Sequence, residues 1–494
     1  MRTLFSTDCV ITDRAGVVEN RHGVHAAIVD ARGRLLFAVG DPARITLVRS
    51  AAKPAQALAI VETGALQKFN LDNADLALMC ASHSSEDRHV TRARSILSKI
   101  RCREEDLQCG GHPAVSDAVN RSWIKADFTP TAVYSNCSGK HAGMLAGTKA
   151  LGADVKTYHL PTNPMQVRVR EAVDEICHLE ANGSLWGTDG CNLPAPAFPL
   201  HCLARMYAVF ADGASQAESG DFETTPRTQA LSRIFHAMST YPELVAGEDR
   251  FCKVLMTAFQ GLLIGKLGAA GCYGIGIKET ERTRELGADG GLGIAVKIED
   301  GNIEILYSAI TEILEQLQLG EPEMRQQLSR FHRPDIKNTV GTVTGKTYHA
   351  FKGRSQEERV VLLKGMRHHS VGRPLVQTKH IQGNEVERQS RAIDSVQNDF
   401  AMNAILKHNI DSDSPKADGS PDSTIHVLES VTNFPPGVFM IINEAVFAVG
   451  NVSVVAYGDC PTITGDVPGS GNVGWQRNEI EVPNGVRKSR TSLG

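Results

Sequence analysis

The sequence predicts an α+β fold in which one antiparallel sheet, built from the two ends of a domain, is covered by helices. Apolar and β-branched residues alternate over residues 24–30, and a turn at residues 31–33 leads into a second apolar run at residues 35–39, a pattern typical of a β-hairpin. A matching pattern appears far downstream, where residues 293–298 and 303–307 flank a polar turn. Because the segments between the two pairs read as helices, we expect the distant strands to meet in one sheet with helices on its faces.

Six segments between these hairpins are predicted to be helices because their apolar residues recur at helical spacing. They are residues 54–66, 88–100, 142–151, 165–178, 228–238 and 252–266. A short apolar run at residues 76–79 is expected to be strand-like instead.

A change of composition predicts a first domain at residues 1–345 and a C-terminal extension of unknown role at residues 346–494, because 494 residues are many for one domain. Within the extension, residues 411–423 have the Ser, Asp, Pro and Gly of a linker. Residues 427–458 read as short strands, and residues 464–494 are expected to be poorly ordered. We therefore expect the extension to be partly disordered and dispensable for chemistry.

Charge and hydropathy exclude several classes of partner. A net charge of -4 and a pI of about 6.5 provide no basic field for nucleic acid or an anionic membrane. The most apolar stretch, residues 438–457, is interrupted by Asn443, Glu444 and Asn451, so no membrane span is expected. The N-terminus lacks the apolar run of a secretory signal, and the 11 cysteines lack disulfide-framework spacing. These features predict a cytoplasmic protein with reduced thiols.

Ser50 and Lys53 are the first candidates for chemistry. A spacing of three places both residues on one face of a helical turn. A serine hydroxyl needs a base nearby to act as a nucleophile, and a lysine serves only when burial makes it neutral. Ser-x-x-Lys alone is a weak signal, since Ser122 and Lys125 repeat it. The alternative is that Ser50 only caps a helix start.

Two further features support a nucleophilic site. A cluster of small polar residues at 80–86, which includes Ser82, follows the apolar run and precedes a helix. Such junctions often carry sites, although a capped helix start is the alternative. Lys266 lies in the apolar, Gly-rich run of residues 262–271, where burial would lower its pKa. The alternative for Lys266 is a helix C-terminus from which its ammonium reaches solvent.

Two tightly turned polar loops contain Cys137 and Cys191, which are candidate zinc ligands. The usual Cys-x-x-Cys spacing is absent, so two buried thiols without a metal are the alternative. His141, in the first loop, is the conventional choice for a third ligand.

Five motifs occur together in one order: RSAAKP at residues 49–54, SHSSEDRHV at 82–90, NCSGKHAGML at 136–145, DGCNLP at 189–194 and IGKLGAAG at 264–271. In this order they resemble the class 3 (rhizobial-type, zinc-containing) L-asparaginases of the asparaginase II sequence family. The resemblance covers roughly residues 4–345. It implies a serine β-lactamase/glutaminase-like fold, a homodimer, and hydrolysis of L-asparagine to L-aspartate and ammonia.

The resemblance also implies roles for individual residues. Ser50 matches the family's nucleophile and Lys53 its partner, while Ser82 and Lys266 match a second Ser–Lys pair that faces the first. The expected zinc ligands, for one ion per chain, are Cys137, Lys140 and Cys191. Lys140 thus takes the place that spacing alone suggested for His141. Arg49 and Asp189 match residues that hold the substrate's carboxylate and amino groups, an arrangement that pairs opposite charges.

The sequence departs from the family pattern in places. Asn163-Pro164 replaces the more usual His-Pro, and Ala270 stands where an acid is usual. One alternative function is a β-lactamase or penicillin-binding-like acylase, although its Lys-Thr-Gly strand motif is not evident, and Gly345-Lys346-Thr347 has a different order. A second alternative is a zinc-dependent binding or redox-sensing protein without catalysis.

Overall fold

The computed structural model describes residues 8–180, 182–220, 224–355 and 358, together with three short strands near the C-terminus. The chain divides into two units, Met1–Pro374 and Leu375–Gly494. Every candidate site residue lies in the first unit.

The described residues form the following elements. The strands are β1 (Cys9–Arg14), β2 (Val17–Asp30), β3 (Leu35–Val39), β4 (Ile45–Leu47), β5 (Leu185–Thr188), β6 (Pro194–Pro199), β7 (Leu263–Gly268), β8 (Cys272–Ile277), β9 (Leu292–Ile298), β10 (Ile336–Lys337), β11 (Val343–Gly345), β12 (Thr347–Ala350), β13 (Arg354–Ser355), β14 (Val438–Ile442), β15 (Ala445–Val449) and β16 (Val454–Ala456). The α-helices are α1 (Lys53–Glu62), α2 (Ala65–Lys68), α3 (Asn73–Met79), α4 (Asp87–Lys99), α5 (Asp117–Lys125), α6 (Ser138–Ala150), α7 (Pro164–Cys177), α8 (Leu200–Ser219), α9 (Pro226–Thr240), α10 (Pro242–Val245), α11 (Phe251–Ala258), α12 (Glu281–Glu285), α13 (Ile303–Gln316), α14 (Pro322–Gln326) and α15 (Ser329–His332). Short 3₁₀ turns are Arg49–Ala52, Glu104–Asp106, Ala132–Tyr134 and Val155–Thr157.

An eight-stranded sheet forms the centre of the first unit. Its strands run in the order β12-β1-β2-β9-β8-β7, and β3 and β13 extend it beside β2. The length of β2 makes this arrangement possible, because residues 17–23 pair with β1 whereas residues 26–29 pair with β3. The other edge of β2 pairs antiparallel with β9. The sheet therefore joins strands from both ends of the unit, which confirms the predicted α+β fold and the hairpin of residues 24–39.

Helix α8 packs onto this sheet at positions where only glycine leaves room. A Cβ at Gly274 in β8 would lie 2.1 Å from the ring of Tyr207, and one at Gly293 in β9 would lie 1.8 Å from the carbonyl oxygen of Ala204. Both distances are far below van der Waals contact, so a larger residue would push the helix away. The close packing buries Tyr207 completely. This helix is one that the sequence patterns did not predict.

Two of the predicted strands are helical. Residues 303–307 begin α13, because the side chain of Asn302 accepts the Ile305 N–H at 3.1 Å and caps the helix. The polar turn before this segment is therefore a helix start and not a hairpin turn. Residues 76–79 lie in α3, which Asp72 caps by accepting the Asp75 N–H at 2.7 Å.

The predicted helix at residues 252–266 is too long. Helix α11 ends at Ala258, and Lys266 lies in the middle of strand β7. Gln260 and Gly261 interrupt the helix because both adopt positive φ values, 48° and 84°. Lys266 is therefore not at a helix C-terminus, and its side chain is 1% exposed.

The boundary predicted after residue 345 lies inside the folded unit. Strand β12 pairs with β1, and β13 pairs with β3. Arg354 Nη1 also donates to Asp8 Oδ2 at 2.8 Å. The apolar part of this segment is short, so its composition gave no sign of a strand pair. The first unit therefore continues beyond Ser355.

The second unit is described only in part. Strands β14, β15 and β16 form an antiparallel three-stranded sheet, all within the range 427–458 where short strands were predicted. The predicted linker at residues 411–423 and the tail at residues 464–494 lie outside the described residues.

The described cysteines are all free, and all but Cys102 are buried. Among the described helices, none combines the length and apolar character needed to cross a membrane.

The boundary can be tested by truncation. A chain ending at Pro374 should unfold at a temperature about 5 °C or more above that of a chain ending at Gly345, because the shorter chain loses the buried Phe351 and the pairing of β12 with β1. Thermal denaturation of both chains followed by circular dichroism measures the difference. Equal unfolding temperatures would instead support a boundary at residue 345.

Candidate active site

The 3₁₀ turn Arg49–Ala52 holds the candidate nucleophile against the main sheet. Val48 N donates to Pro196 O at 3.1 Å, and Tyr207 Oη donates to Ala51 O at 2.8 Å. A Cβ at Gly268 in β7 would lie 2.4 Å from Val48 O, so the turn lies directly on this strand. Helix α8, β6 and β7 thereby fix the backbone on either side of Ser50.

The hydroxyl of Ser82 lies between two buried lysines. Lys53 Nζ donates to Ser82 Oγ at 3.0 Å, and Lys266 Nζ lies 2.9 Å from the same oxygen. Lys53 is 0% exposed and Lys266 1%. The structure therefore brings together three of the four residues that were predicted to be catalytic.

The structure does not join Ser50 and Lys53 by a hydrogen bond. Ser50 is partly exposed, and its hydroxyl has no hydrogen-bond partner among the described residues. Lys53 instead extends inward, where it donates to Ala81 O and, at 3.2 Å, to Cys137 Sγ. A spacing of three places the two residues on consecutive turns but does not decide where a long side chain points.

The second Ser-x-x-Lys occurrence lies on the surface. Ser122 and Lys125 are both exposed on α5, and Ser122 Oγ donates to Val119 O at 2.7 Å within the helix. Neither side chain contacts a buried residue, so this second Ser-x-x-Lys sequence is an ordinary part of an exposed helix surface.

Hydrogen bonds distinguish the two buried lysines. Lys53 Nζ has three acceptors, which are Ala81 O, Ser82 Oγ and Cys137 Sγ, and these match the three N–H bonds of an ammonium. Lys266 Nζ has two partners, Ser82 Oγ and, at 2.8 Å, Leu267 O. Burial, with the nearby charges of Lys53 and Arg250, lowers the pKa of Lys266 to about 7. Lys266 can therefore be neutral near neutral pH and hold a lone pair toward Ser82.

Arg250 is a residue that motif analysis missed. Its Nη1 donates to the backbone carbonyl of Ser82, and Ser82 N donates to Val245 O at 3.0 Å. The loop is held further by His83, whose backbone N donates to Asn136 O at 3.1 Å. Arg250 precedes α11 without a recognisable motif, so its position near Ser82 follows only from the tertiary structure.

The three candidate metal ligands lie together. Cys137 precedes the first residue of α6, one turn before Lys140, and Lys140 Nζ donates to Cys191 Sγ at 3.1 Å. A hydrogen bond between the two thiols raises the pKa of Cys137 and lowers the pKa of Cys191, so Cys191 is the thiolate of the pair. Two sulfurs and an amine are a donor set that suits zinc.

His141, the conventional ligand candidate, is engaged elsewhere. Its Nδ1 lies 2.6 Å from the hydroxyl of Tyr158, and burial, with the charge of Lys140, lowers the pKa of His141 to about 3. Lys140 is thus the neighbour whose nitrogen contacts the sulfur of Cys191.

Arg49 and Asp189 form an ion pair at the edge of the site. Arg49 Nε and Nη2 donate to Asp189 Oδ1 at 3.0 and 2.8 Å. Burial opposes ionisation of Asp189, but Lys140 and Arg49 keep its pKa below the usual range. Arg49 has a φ of 51°, an arrangement that costs about 1–3 kcal/mol and that often marks functional positions.

Comparison with known proteins supplies the family. The model of the family described as L-asparaginase II matches residues 10–348. The chain belongs to the L-asparaginase II family. A direct comparison of the chain with curated proteins finds no match.

Membership of the L-asparaginase II family confirms the resemblance inferred from the five motifs. The matched range includes all nine predicted site residues and ends within β12. The departure at Asn163 has a structural explanation, because its Oδ1 accepts the Met165 N–H at 3.0 Å and caps α7.

The support that Tyr207 gives to the Ser50 turn can be tested separately. Tyr207→Phe leaves the buried carbonyl of Ala51 without its donor, so the free energy of unfolding should fall by about 1–3 kcal/mol. Tyr273→Phe is a matched control, since Tyr273 is equally buried but its hydroxyl faces only the Cys252 thiol, a much weaker hydrogen-bonding partner than a carbonyl. Urea denaturation compares the two variants, and an equal loss in both would show that the bond to Ala51 contributes nothing.

Proposed function

We propose that the chain hydrolyses L-asparagine to L-aspartate and ammonia through an acyl-enzyme. The family supports an amidohydrolase that acts on asparagine. The observation that carries the mechanism is the Ser82 hydroxyl, which two buried lysines contact beside the Ser50 turn. Such a pair can supply both a cation and a neutral amine, which nucleophilic attack on an amide requires.

Arg49 and Asp189 are proposed to bind the two charged ends of a free amino acid. Arg49 Nη1 and Asp189 Oδ2 have no hydrogen-bond partner among the described residues, although the two side chains pair through their other atoms. A substrate carboxylate would bind Arg49 and an ammonium group Asp189, each through charge-assisted hydrogen bonds. Binding both ends sets how far the side-chain amide lies from Ser50.

Ser50 is the proposed nucleophile. Its oxygen forms a bond to the amide carbon while its proton passes, through Ser82, to the neutral amine of Lys266. The C–N bond then breaks, and the departing nitrogen takes a proton and leaves as ammonia. Water hydrolyses the β-aspartyl ester, which regenerates the Ser50 hydroxyl. Lys53 is the cation in this scheme, because its three hydrogen bonds are those of an ammonium.

One zinc ion per chain is proposed at Cys137, Lys140 and Cys191. The donor set fits, since Lys140 Nζ and Cys191 Sγ are already in contact and Cys191 is a thiolate. A bound zinc would supply a fixed positive charge and hold the loop of Cys191 next to Asp189. Lys140 would bind it as a neutral amine and so lose a proton on binding.

The acylase alternative has less support. Gly345, Lys346 and Thr347 lie at the edge of the sheet, where Asp13 N donates to Lys346 O at 3.1 Å and β12 pairs with β1. They do not line the Ser82 site. The homodimer and the cytoplasmic location that the sequence suggested remain predictions.

The nucleophile can be tested by substitution and by trapping. Ser50→Ala should lower kcat at least about a thousandfold, whereas Ser122→Ala, in the exposed Ser-x-x-Lys sequence, should leave it unchanged. Mass spectrometry of acid-quenched enzyme should find the aspartyl group on the peptide that contains Ser50. Retention of a tenth of the turnover in Ser50→Ala, or an aspartyl group on Ser82, would assign the attack to another residue. A zinc-binding protein without catalysis would show no ammonia release in either variant.

The pH dependence tests Lys266 as the proton acceptor. Below about pH 7 the Lys266 amine is protonated and cannot accept a proton, so kcat should fall as the pH decreases through this value. Arg250→Gln removes a positive charge that lowers the pKa of Lys266. The acid limb of the pH–rate profile, where kcat falls, should therefore move to higher pH by on the order of half a unit. Arg88→Gln, which removes an exposed charge paired with Glu248, is the control and should not move the limb. An unchanged acid limb in Arg250→Gln would rule out Lys266 as the titrating group.

Substrate preference tests the proposal that Arg49 and Asp189 bind the two charged ends of the substrate. Glutamine is one methylene longer, so its amide would overshoot Ser50, and the preference for asparagine should be about a hundredfold or more. Asp189→Ala should reduce turnover of asparagine far more than turnover of an analogue that lacks the α-amino group. Steady-state ammonia assays on both substrates measure the two effects. Equal losses would mean that Asp189 only supports Arg49.

A further inference from the structure

A cluster of one carboxylate and two imidazoles lies outside the candidate active site. Glu312, His332 and His349 place their ligand atoms within 4.8 Å of one another. They come from α13, α15 and β12, three separate elements. Glu312 Oε2 lies 2.6 Å from His332 Nε2 and 3.1 Å from His349 Nδ1. The side chain of His349 is 1% exposed and that of Glu312 12%.

The hydrogen bonds of Ser308 determine which nitrogen of His349 carries a proton. Ser308 Oγ donates its only proton to the backbone carbonyl of His332. The same oxygen lies 2.8 Å from His349 Nε2, so Ser308 must accept a proton from that nitrogen. In a neutral His349 ring, Nδ1 is therefore the unprotonated nitrogen and carries a lone pair.

That lone pair faces the Glu312 carboxylate without a hydrogen bond. His349 Nδ1 is a buried atom with no hydrogen-bond partner, although Glu312 Oε2 is only 3.1 Å away. Two acceptors at this distance repel each other unless a positive charge lies between them. The ring of His349 stacks on that of His332 at 5.4 Å, and Arg333 Nη2 donates to Glu312 Oε2 at 3.0 Å, so the three side chains form one compact cluster beside a guanidinium.

We propose that Glu312, His332 and His349 form a metal site for a divalent transition-metal ion such as Zn²⁺. Two imidazole nitrogens and a carboxylate oxygen are the ligands these ions prefer, with bonds of about 2.0–2.2 Å. The Ser308 contact gives His349 the outer hydrogen bond that metal-bound histidines usually have. Arg333 is 61% exposed and can withdraw as the ion enters.

The ion would stabilise the packing of β12, near the C-terminal end of the first unit, against α13 and α15. His349 lies just beyond the range that the family model matches, whereas Glu312 and His332 lie inside it. Metal binding would therefore link β12 to two helices of the family domain. The role is structural, because none of these residues contacts Ser50, Ser82 or Lys266.

Metal counting tests the proposal on the full chain. Protein stripped with a chelator is dialysed against Zn²⁺, and bound zinc is measured by elemental analysis for wild type, Glu312→Gln and His332→Gln. Each variant should bind one ion fewer than wild type, and the affinity of the site should fall at least about a hundredfold. Ser308→Ala, which removes only the outer contact, should weaken binding about ten- to a hundredfold. His236→Gln is the matched control, since its Nε2 pairs with Glu218 at 3.2 Å outside the cluster, and it should bind as wild type does.

Cobalt distinguishes this site from the thiol site. With Co²⁺, the double variant Cys137→Ser/Cys191→Ser should keep visible absorption bands but lose the sulfur-to-metal band in the near ultraviolet. Zn²⁺ should also raise its unfolding temperature, and adding His332→Gln should abolish both effects. Equal zinc content in wild type, Glu312→Gln and His332→Gln, or a double variant that binds no metal, would overturn the proposal.

Discussion

The arrangement of the site depends on one oxygen that two lysines share. Lys53 and Lys266 each lie about 3 Å from Ser82 Oγ, so their nitrogens are at most about 6 Å apart. Two positive charges at that distance repel by about 3 kcal/mol even at an effective dielectric constant of about 20. Because both side chains are buried, water does little to relieve this repulsion, which favours loss of a proton from one of the two amines. The hydrogen bonds favour Lys266 as the neutral amine, which is the state that its proposed role as a base requires.

The fold holds this pair by packing that allows little movement. Lys266 projects from the middle of β7, a strand with every residue buried, whereas Lys53 opens α1 directly after the Ser50 turn. Glycines let α8 approach the sheet, and Tyr207 from that helix holds the turn by its backbone. The same site therefore draws on a strand, two helices and a loop that are far apart in sequence. Arg250 completes it by holding the Ser82 loop and by adding a positive charge near Lys266.

The sequence predicts the fold class and the set of site residues better than it predicts their contacts. Alternating apolar residues identify the first hairpin, and the five motifs indicate the family. The Ser-x-x-Lys spacing could not show that the Lys53 side chain turns away from Ser50. A side chain with four rotatable bonds can reach in several directions, and the positions of the buried acceptors decide which one it takes. Lys266 was expected in a helix because the apolar residues of a Gly-rich run do not recur with a clear helical or strand period. The turn at Gln260, which separates the helix from the strand, is visible only in the structure. Arg250 and His349 belong to no motif, and only the tertiary structure brings them to their sites.

The most direct test of this account is the ionisation of Lys266 itself. Heteronuclear NMR of the labelled lysine side chains, with Lys266→Met to assign the signal, measures the pKa without relying on turnover. The account predicts a lysine that titrates near pH 7 in wild type and is absent from the variant. A Lys266 amine that stays protonated up to about pH 10, as a lysine in water does, would contradict it.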